Sequence, residues 1–243
     1  MEHQPTPPEL SESLIEAILA SQDVKGFLED IAVLASRELS QTGEAVHCAI
    51  TLIRPSGPPV IASSTETARQ ADEMQCAFGE GPCLHAATTG KLVKVNNFQE
   101  DQCWPVYCRE AAGYGIGAVL AVPVSLPGRA KCAINVYSEQ THEFSVREVR
   151  ELKRFAAQAS AAVQLAIRIA DMQKWSDDLM AAMSSRTVID IAVGIIMGQS
   201  KCSQEAAFNI LRAASSHRNQ KLHEVAAKVV TSVKGGTVET HFA

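Results

Sequence analysis

The stretch GAVLAVPVSLPGRAKCAINVYS (Gly117–Ser138) decides the fold. It holds two β-rich runs, GAVLAVPVS and AKCAINVYS, on either side of the turn signal Pro127-Gly128-Arg129, and so reads as a hairpin. Working upstream, VHCAITLIR (Val46–Arg54) and PVIASS (Pro59–Ser64) flank a second turn signal, Pro55–Pro59, and read as another hairpin. Between the hairpins, Glu66–Phe78 has helical character and is broken by Gly79-Glu-Gly-Pro82. A short helix over Cys83–Thr89, a strand over Leu92–Val95 and a helix around Glu100–Ala112 follow. Further upstream, Asp23–Leu39 carries Val24, Phe27, Leu28, Ile31, Leu34 and Ala35 at helical spacing. Ser11 reads as the N-cap of a short helix bearing Leu14, Ile15 and Ile18, with residues 1–10 as a disordered tail. Strands that outnumber helices and pair through hairpins predict an α+β domain with an antiparallel sheet, rather than a doubly wound parallel one.

Downstream of the hairpin, Ser145-Val-Arg-Glu148 is a capping box that starts a new helix. Its apolar positions are Val149, Leu152, Phe155, Ala156, Ala159, Val163, Ala166, Ile167 and Ala170, and no Gly or Pro interrupts it before Gly194. This stripe is expected to be the seam of a dimerising stalk. After Met180 three helical pieces follow, each with one apolar stripe. The first carries Val188, Ala192, Ile195 and Ile196 and ends near Gly198; the second begins at the N-cap Ser203; the third follows Asn219. No single stripe is stable alone, so the three must pack together. The expected organisation is a sensor over 11–167, a stalk over 145–180, an all-α three-helix domain over 175–233, and a disordered tail over 234–243.

The 243 residues carry a net charge of −5, which alone argues against a nucleic-acid partner. The charge is uneven, however. Over 181–234 the cations Arg186, Lys201, Arg212, Arg218, Lys221, Lys228 and Lys234 face only Asp190, Glu205 and Glu224, so the acidic average conceals a small basic module. The seven cysteines, an odd number in a chain this long, are most simply reduced thiols. The start, MEHQPTPPEL, lacks the features of a signal peptide and no apolar run approaches a bilayer span, so a cytoplasmic location without a membrane is expected. No paired carboxylates, P-loop, nucleophile elbow or HExxH occurs, so an enzyme is not expected, and no cofactor or metal is implied.

The segment Ser185–Val230 closely resembles the ANTAR module of bacterial antiterminators. The resemblance rests on Ser185-Arg186, Ile189-Asp190, Ala192-x-Gly194-Ile-Ile-Met197, Ser203, Ala206-Ala-Phe208-x-x-Leu211-Arg212, Lys221-Leu222 and Val225-Ala226. It implies a three-helix fold that binds RNA hairpins of a nascent transcript as a homodimer and favours read-through of terminators, with RNA polymerase as a further candidate partner. Where many members carry Gln-Ala-Lys-Gly, this chain has Ile191-Ala-Val-Gly194, which shifts weight onto the remaining basic residues. RNA-loop recognition needs cations for the backbone and planar or amide groups for bases. The candidate RNA-binding residues are therefore Arg186, Lys201, Asn209, Arg212, His217, Arg218, Asn219 and Lys221, with Arg212, His217, Arg218 and Lys221 clustering around the junction of the last two helices. A DNA-binding helix-turn-helix is the alternative, and solvated helix faces are the plain reading.

Upstream, Phe78-Gly-Glu-Gly-Pro-Cys83, Thr89-Gly90-Lys-Leu-Val-Lys-Val95 and Cys103-Trp104-Pro105 resemble the GAF domains fused to ANTAR modules in actinobacterial-type regulators. This implies a sensor for a small-molecule or protein signal. Of the cyclic-nucleotide GAF signature, Asn135, Phe144 and Glu148 are present, but Val136 and Val149 replace its Lys and its final Glu, which disfavours that ligand. Candidate pocket residues are Cys76, Cys83, His85, Trp104 and Tyr107. His85 is open to a haem-ligand reading, Trp104 and Tyr107 to stacking on a planar ligand. The loop cysteines Cys76, Cys83, Cys103 and Cys108 are open to metal binding with His85, which the lack of a CxxC pair disfavours, and to thiol chemistry of the kind used by the GAF-fold free methionine-R-sulfoxide reductase. The plain reading makes them small, half-buried apolar side chains.

Overall fold

The computed structural model describes residues 7–40, 46–55 and 57–233, in two compact units over 1–170 and 171–243. In the first, strands β1 (His47–Ile53), β2 (Val60–Ser63), β3 (Val93–Val95), β4 (Ala118–Val124) and β5 (Lys131–Ser138) form one sheet in the order β2-β1-β5-β4-β3. Every pairing is antiparallel, the two expected hairpins forming β1–β2 and β4–β5. The Gly117–Ser138 stretch forms the β4–β5 hairpin at the sheet's centre, with Leu120 opposite Val136 and Val122 opposite Ile134. Successive side chains on a strand point to opposite faces. Thus Cys132, Ile134 and Val136 face one layer, and Ala133, Asn135 and Tyr137 face the other.

The first layer holds α1 (Pro7–Ala20), α2 (Val24–Leu39) and the opening turns of α6 (Val146–Ser200). Phe27, Leu28 and Ile31 of α2 meet Ile50, Leu52, Leu120 and Ile134 of the sheet and Leu152, Phe155 and Val163 of α6. Burying each such side chain contributes roughly 1.5–3 kcal/mol. The α2 helix is capped by Asp23, whose side chain accepts the Gly26 N–H at 2.8 Å. The capping box also forms: Ser145 N–H donates to Glu148 Oε2 at 2.7 Å, and Glu148 N–H to Ser145 Oγ at 3.2 Å.

Three expectations need correction. Helix α1 starts at Pro7 rather than after Ser11, because proline suits the first helical position, where the N–H it lacks has no helical partner. Residues 7–10 are therefore helical, while residues 1–6 and the expected tail over 234–243, with Lys234, lie outside the described residues. Helix α5 spans Pro105–Ala112 instead of starting near Glu100. Asp101 Oδ1 accepts the N–H groups of Cys103 and Trp104 at 3.0 and 2.8 Å, which holds that stretch as a turn. Finally, the apolar stripe Val149–Ala170 is not a free seam. Leu152, Phe155, Ala156, Ala159, Val163 and Ala166 are buried in the sensor's own core, with Val149, Ile167 and Ala170 packed beside them.

The second layer is α3 (Glu66–Phe78), α4 (Pro82–Thr89) and α5. Ala68 and Ala71 of α3 meet Tyr107 and Ala111 of α5, with Val119 and Tyr137 beneath them. Helix α3 ends at Gly79 in the left-handed conformation (φ 72°), the residue type that end needs.

In the second unit the last turns of α6 pack with α7 (Gln204–Arg218) and α8 (Leu222–Val233) through Ala192, Val193, Ile196, Ala207, Leu211, Val225 and Ala226. Helix α6 ends at Ser200, just past the expected Gly198. Ser203 caps α7 by accepting the Ala206 N–H, and Asn219 closes it at φ 48°. By length and composition alone, one stretch of α6 is apolar enough to cross a membrane. Its apolar residues nevertheless divide between two packed cores and one exposed stripe, the pattern of an amphipathic helix.

Candidate functional site

Between the sheet and the second helical layer lies a polar cluster that the sequence reading did not single out. It centres on Asp72 of α3, which is 1% exposed. Thr51 Oγ1 donates to its Oδ2 at 2.6 Å, Asn135 Nδ2 to both oxygens at 2.9 and 3.0 Å, Gln75 Nε2 to Oδ1 at 3.2 Å, and Tyr137 OH to Oδ1. Gln75 also donates to Tyr137 OH at 2.9 Å and accepts the Cys83 N–H at 2.7 Å. All these donors are neutral. Burial therefore raises the Asp72 carboxyl to about 6 although Thr51, Tyr137 and Asn135 favour its ionised form. Burial also pushes the Tyr107 and Tyr137 phenols well above their ordinary value, so both stay protonated. Two buried atoms here, Tyr107 OH and Asn135 Oδ1, have no hydrogen-bond partner among the described residues. Gly81 seals the cluster: at φ 147° it passes so close that an added Cβ would lie 2.4 Å from Gln75 Oε1.

The five candidate pocket residues divide around this cluster. Cys83 and Tyr107 are buried and belong to it. Cys76 is half-buried, and burial raises its thiol to about 11. His85 is exposed and meets half-buried Trp104 edge to face, ring centres 5.7 Å apart, while Tyr107 meets Phe98 at 5.8 Å. Trp104 and Tyr107 thus meet different rings, and only Tyr107 is buried. Burial, then the Asp72 charge, raises the Cys83 thiol well above its usual range. That opposes the thiolate which sulfenate chemistry requires. Among the described residues no three His, Cys, Asp or Glu side chains converge as a metal site.

In the second unit Arg186, Lys201, Asn209, Arg212, His217, Arg218, Asn219 and Lys221 are all exposed. Arg186 pairs with Asp190 at 3.9 Å, whereas Lys201, Arg212, Arg218 and Lys221 make no ion pair among the described residues. Lys201 and Asn219 sit at the two left-handed corners that end α6 and α7. At about 100° per residue, Arg212 and Asn209 lie within ~60° of each other on α7, whereas His217 lies ~140° from Arg212. The α7–α8 corner is tied by Ser215 Oγ donating to Gln220 O at 2.6 Å, which fixes the approach of Lys221 to α7.

Several residues with functional potential were missed from sequence. Asp72 and Gln75 continue the buried stripe Ala68, Ala71, Asp72, Gln75 of α3. A charged residue at a core position of that stripe is the signal that could have found them. Phe208, 39% exposed, stands in the otherwise polar arc of α7 that carries Arg212. On α6, Leu165, Ile169, Met172, Trp175, Leu179, Met180 and Met183 are exposed. Leu165, Ile169, Met172, Leu179 and Met183 follow steps of three and four with Ser176 completing the row, a heptad stripe distinct from the one expected.

Residues 26–164 match the family described as GAF domain, and residues 177–230 match the ANTAR domain. No curated protein matches the chain. Among solved structures it is similar to the GAF domain from an Acinetobacter phosphoenolpyruvate-protein phosphotransferase, at 16% identity and TM-score 0.46 over 67% of this chain and 95% of that one. It is similar to free methionine-R-sulfoxide reductase from Neisseria meningitidis in complex with its substrate, at 16% identity and TM-score 0.45 over 70% and 98%. A third is the N-acylhomoserine lactone dependent LuxR family factor CepR2 from Burkholderia cenocepacia, at 14% identity and TM-score 0.48 over 66% and 94%.

Proposed function

The chain belongs to the GAF domain family and carries an ANTAR domain, and from these two modules we propose a homodimeric, signal-responsive regulator that binds RNA hairpins and promotes read-through of terminators. The observation that carries the reading is the match over residues 177–230, laid on a three-helix unit whose Lys201, Arg212, Arg218 and Lys221 are exposed and unpaired among the described residues. Cations free of intramolecular partners can neutralise phosphates and release counterions without first breaking an ion pair. Asn209 and Asn219 supply amide groups for unpaired bases.

Dimerisation accounts for the exposed row on α6, because a seam of Leu, Ile and Met at heptad spacing is left uncovered among the described residues. Two ANTAR modules on one dimer raise the effective concentration of the second RNA contact. The sensor takes in α1 and the opening turns of α6 to about residue 167, the dimerising row lies between Leu165 and Met183, and the RNA-binding domain covers 175–233. A signal that prefers one state of the sensor, whether small molecule or protein, shifts the population of dimers competent for RNA. Competition decides between RNA and DNA. Full-length protein is bound to fluorescently labelled RNA hairpins and challenged with unlabelled duplex DNA or unlabelled hairpin. Displacement by hairpin and not by duplex supports the reading; equal displacement by duplex DNA refutes it.

A further inference from the structure

Three kinds of side chain that recognise an unpaired base share one arc of α7. Phe208 and Arg212 are one helical turn apart, on the same face, and Asn209 follows within ~100° of Phe208. Phe208 is 39% exposed, while its neighbours Ala207 and Leu211 are 0% and 1% exposed and fill the three-helix core. Its ring is therefore not needed to complete that core, yet the helix holds it at the surface beside an arginine without an ion pair among the described residues. The arc contains one acid, Glu205, in the first turn of α7. The flanking corners carry Lys201 on one side and Arg218 and Lys221 on the other, a field suited to a polyanion.

We infer that Phe208 is a stacking platform for one unpaired base of the bound RNA, with the Arg212 guanidinium and the Asn209 amide reading that base or its neighbour. This deepens the RNA reading proposed above and rests on it. Aromatic stacking on a base is largely insensitive to salt, whereas phosphate contacts are strongly salt-dependent. Phe208 and the lysines should therefore separate experimentally.

The probe is a pool of RNA hairpins with one constant stem and a randomised loop, selected on the full-length parent protein. The tightest hairpin is then made with 2-aminopurine at each loop position in turn, and the fully paired duplex of the same stem serves as control. Phe208→Ala should weaken the selected hairpin by about five- to a hundredfold. It should leave the salt slope and duplex binding unchanged, and abolish the fluorescence quenching of one particular loop base. Phe208→Tyr should restore binding and quenching, while Phe208→Leu, which keeps apolar bulk without a ring face, should not. Circular dichroism melting of each variant checks that the three-helix unit remains folded. Parent-like binding by Phe208→Leu, or quenching that survives in Phe208→Ala, overturns the stacking site while leaving RNA binding intact. A parent that enriches no hairpin over the paired stem overturns both this inference and the RNA reading beneath it.

Discussion

Replacing Asp72 with Asn tests the buried cluster through its energetics. The carboxyl is raised from 3.8 to about 6 chiefly by burial, and each unit is worth about 1.36 kcal/mol. Because the folded-state value lies above the unfolded one, protonation favours the folded state. The stabilising contribution is fully present below about pH 4 and is lost as pH rises through about 6. At neutral pH the ionised group costs about 3 kcal/mol relative to its protonated form. Of that cost, roughly 1–1.5 kcal/mol develops between pH 5 and 7.5. Tyr107, Tyr137 and Cys83 stay protonated throughout that window. Asn keeps the shape without the charge, and the Thr51 and Tyr137 hydroxyls can turn to accept from its amide. Urea unfolding of both proteins at the two pH values isolates the effect. The stability of Asp72→Asn relative to parent should improve by roughly 1–1.5 kcal/mol from pH 5 to 7.5. A difference that is flat with pH, or that shifts the other way, would show that Asp72 is not a buried, uncompensated carboxylate.

Other outcomes follow from the same geometry. Gly81→Ala forces a side chain into Gln75 and a left-handed φ of 147°, so urea unfolding should show a loss on the order of 1–3 kcal/mol; an unchanged midpoint contradicts the seal. Met172→Glu with Leu179→Glu alters two side chains that are 71% and 50% exposed. It should turn a dimer into a monomer by sedimentation equilibrium while the sensor's thermal unfolding is unchanged, and a persisting dimer would move the seam elsewhere. Lys221→Ala should weaken all hairpins alike and reduce the salt slope by about 0.7–0.9. Arg212→Ala should cost on the order of 1–3 kcal/mol and blunt discrimination between loops, both read by fluorescence anisotropy.

The hairpin around Pro127-Gly128-Arg129 and the antiparallel α+β order were legible because turn residues and apolar runs are local signals. The same holds for Ser145 and Ser203 as caps, where one hydroxyl meets one backbone N–H three residues on. What stayed hidden was long-range. Periodicity marked Val149–Ala170 as a stripe but could not say whether the sensor's sheet or a second chain covers it. The sensor's own core does, and the row from Leu165 to Met183 is what remains exposed. Asp72 was invisible for the same reason, since its partners Thr51, Asn135 and Tyr137 lie 21 to 65 residues away. The ANTAR segment was legible as a family pattern, yet the exposure of Phe208 emerged only once α7 was packed against α6 and α8.

RNA recognition in the cell is tested by crosslinking RNA to the full-length protein and sequencing what is bound, with the Arg212→Ala/Lys221→Ala double variant in parallel. Paired-stem, open-loop segments immediately upstream of terminators should be enriched, and lost in the double variant although its fold persists. Bound RNA without hairpin enrichment, or an identical profile from the double variant, would contradict the RNA reading.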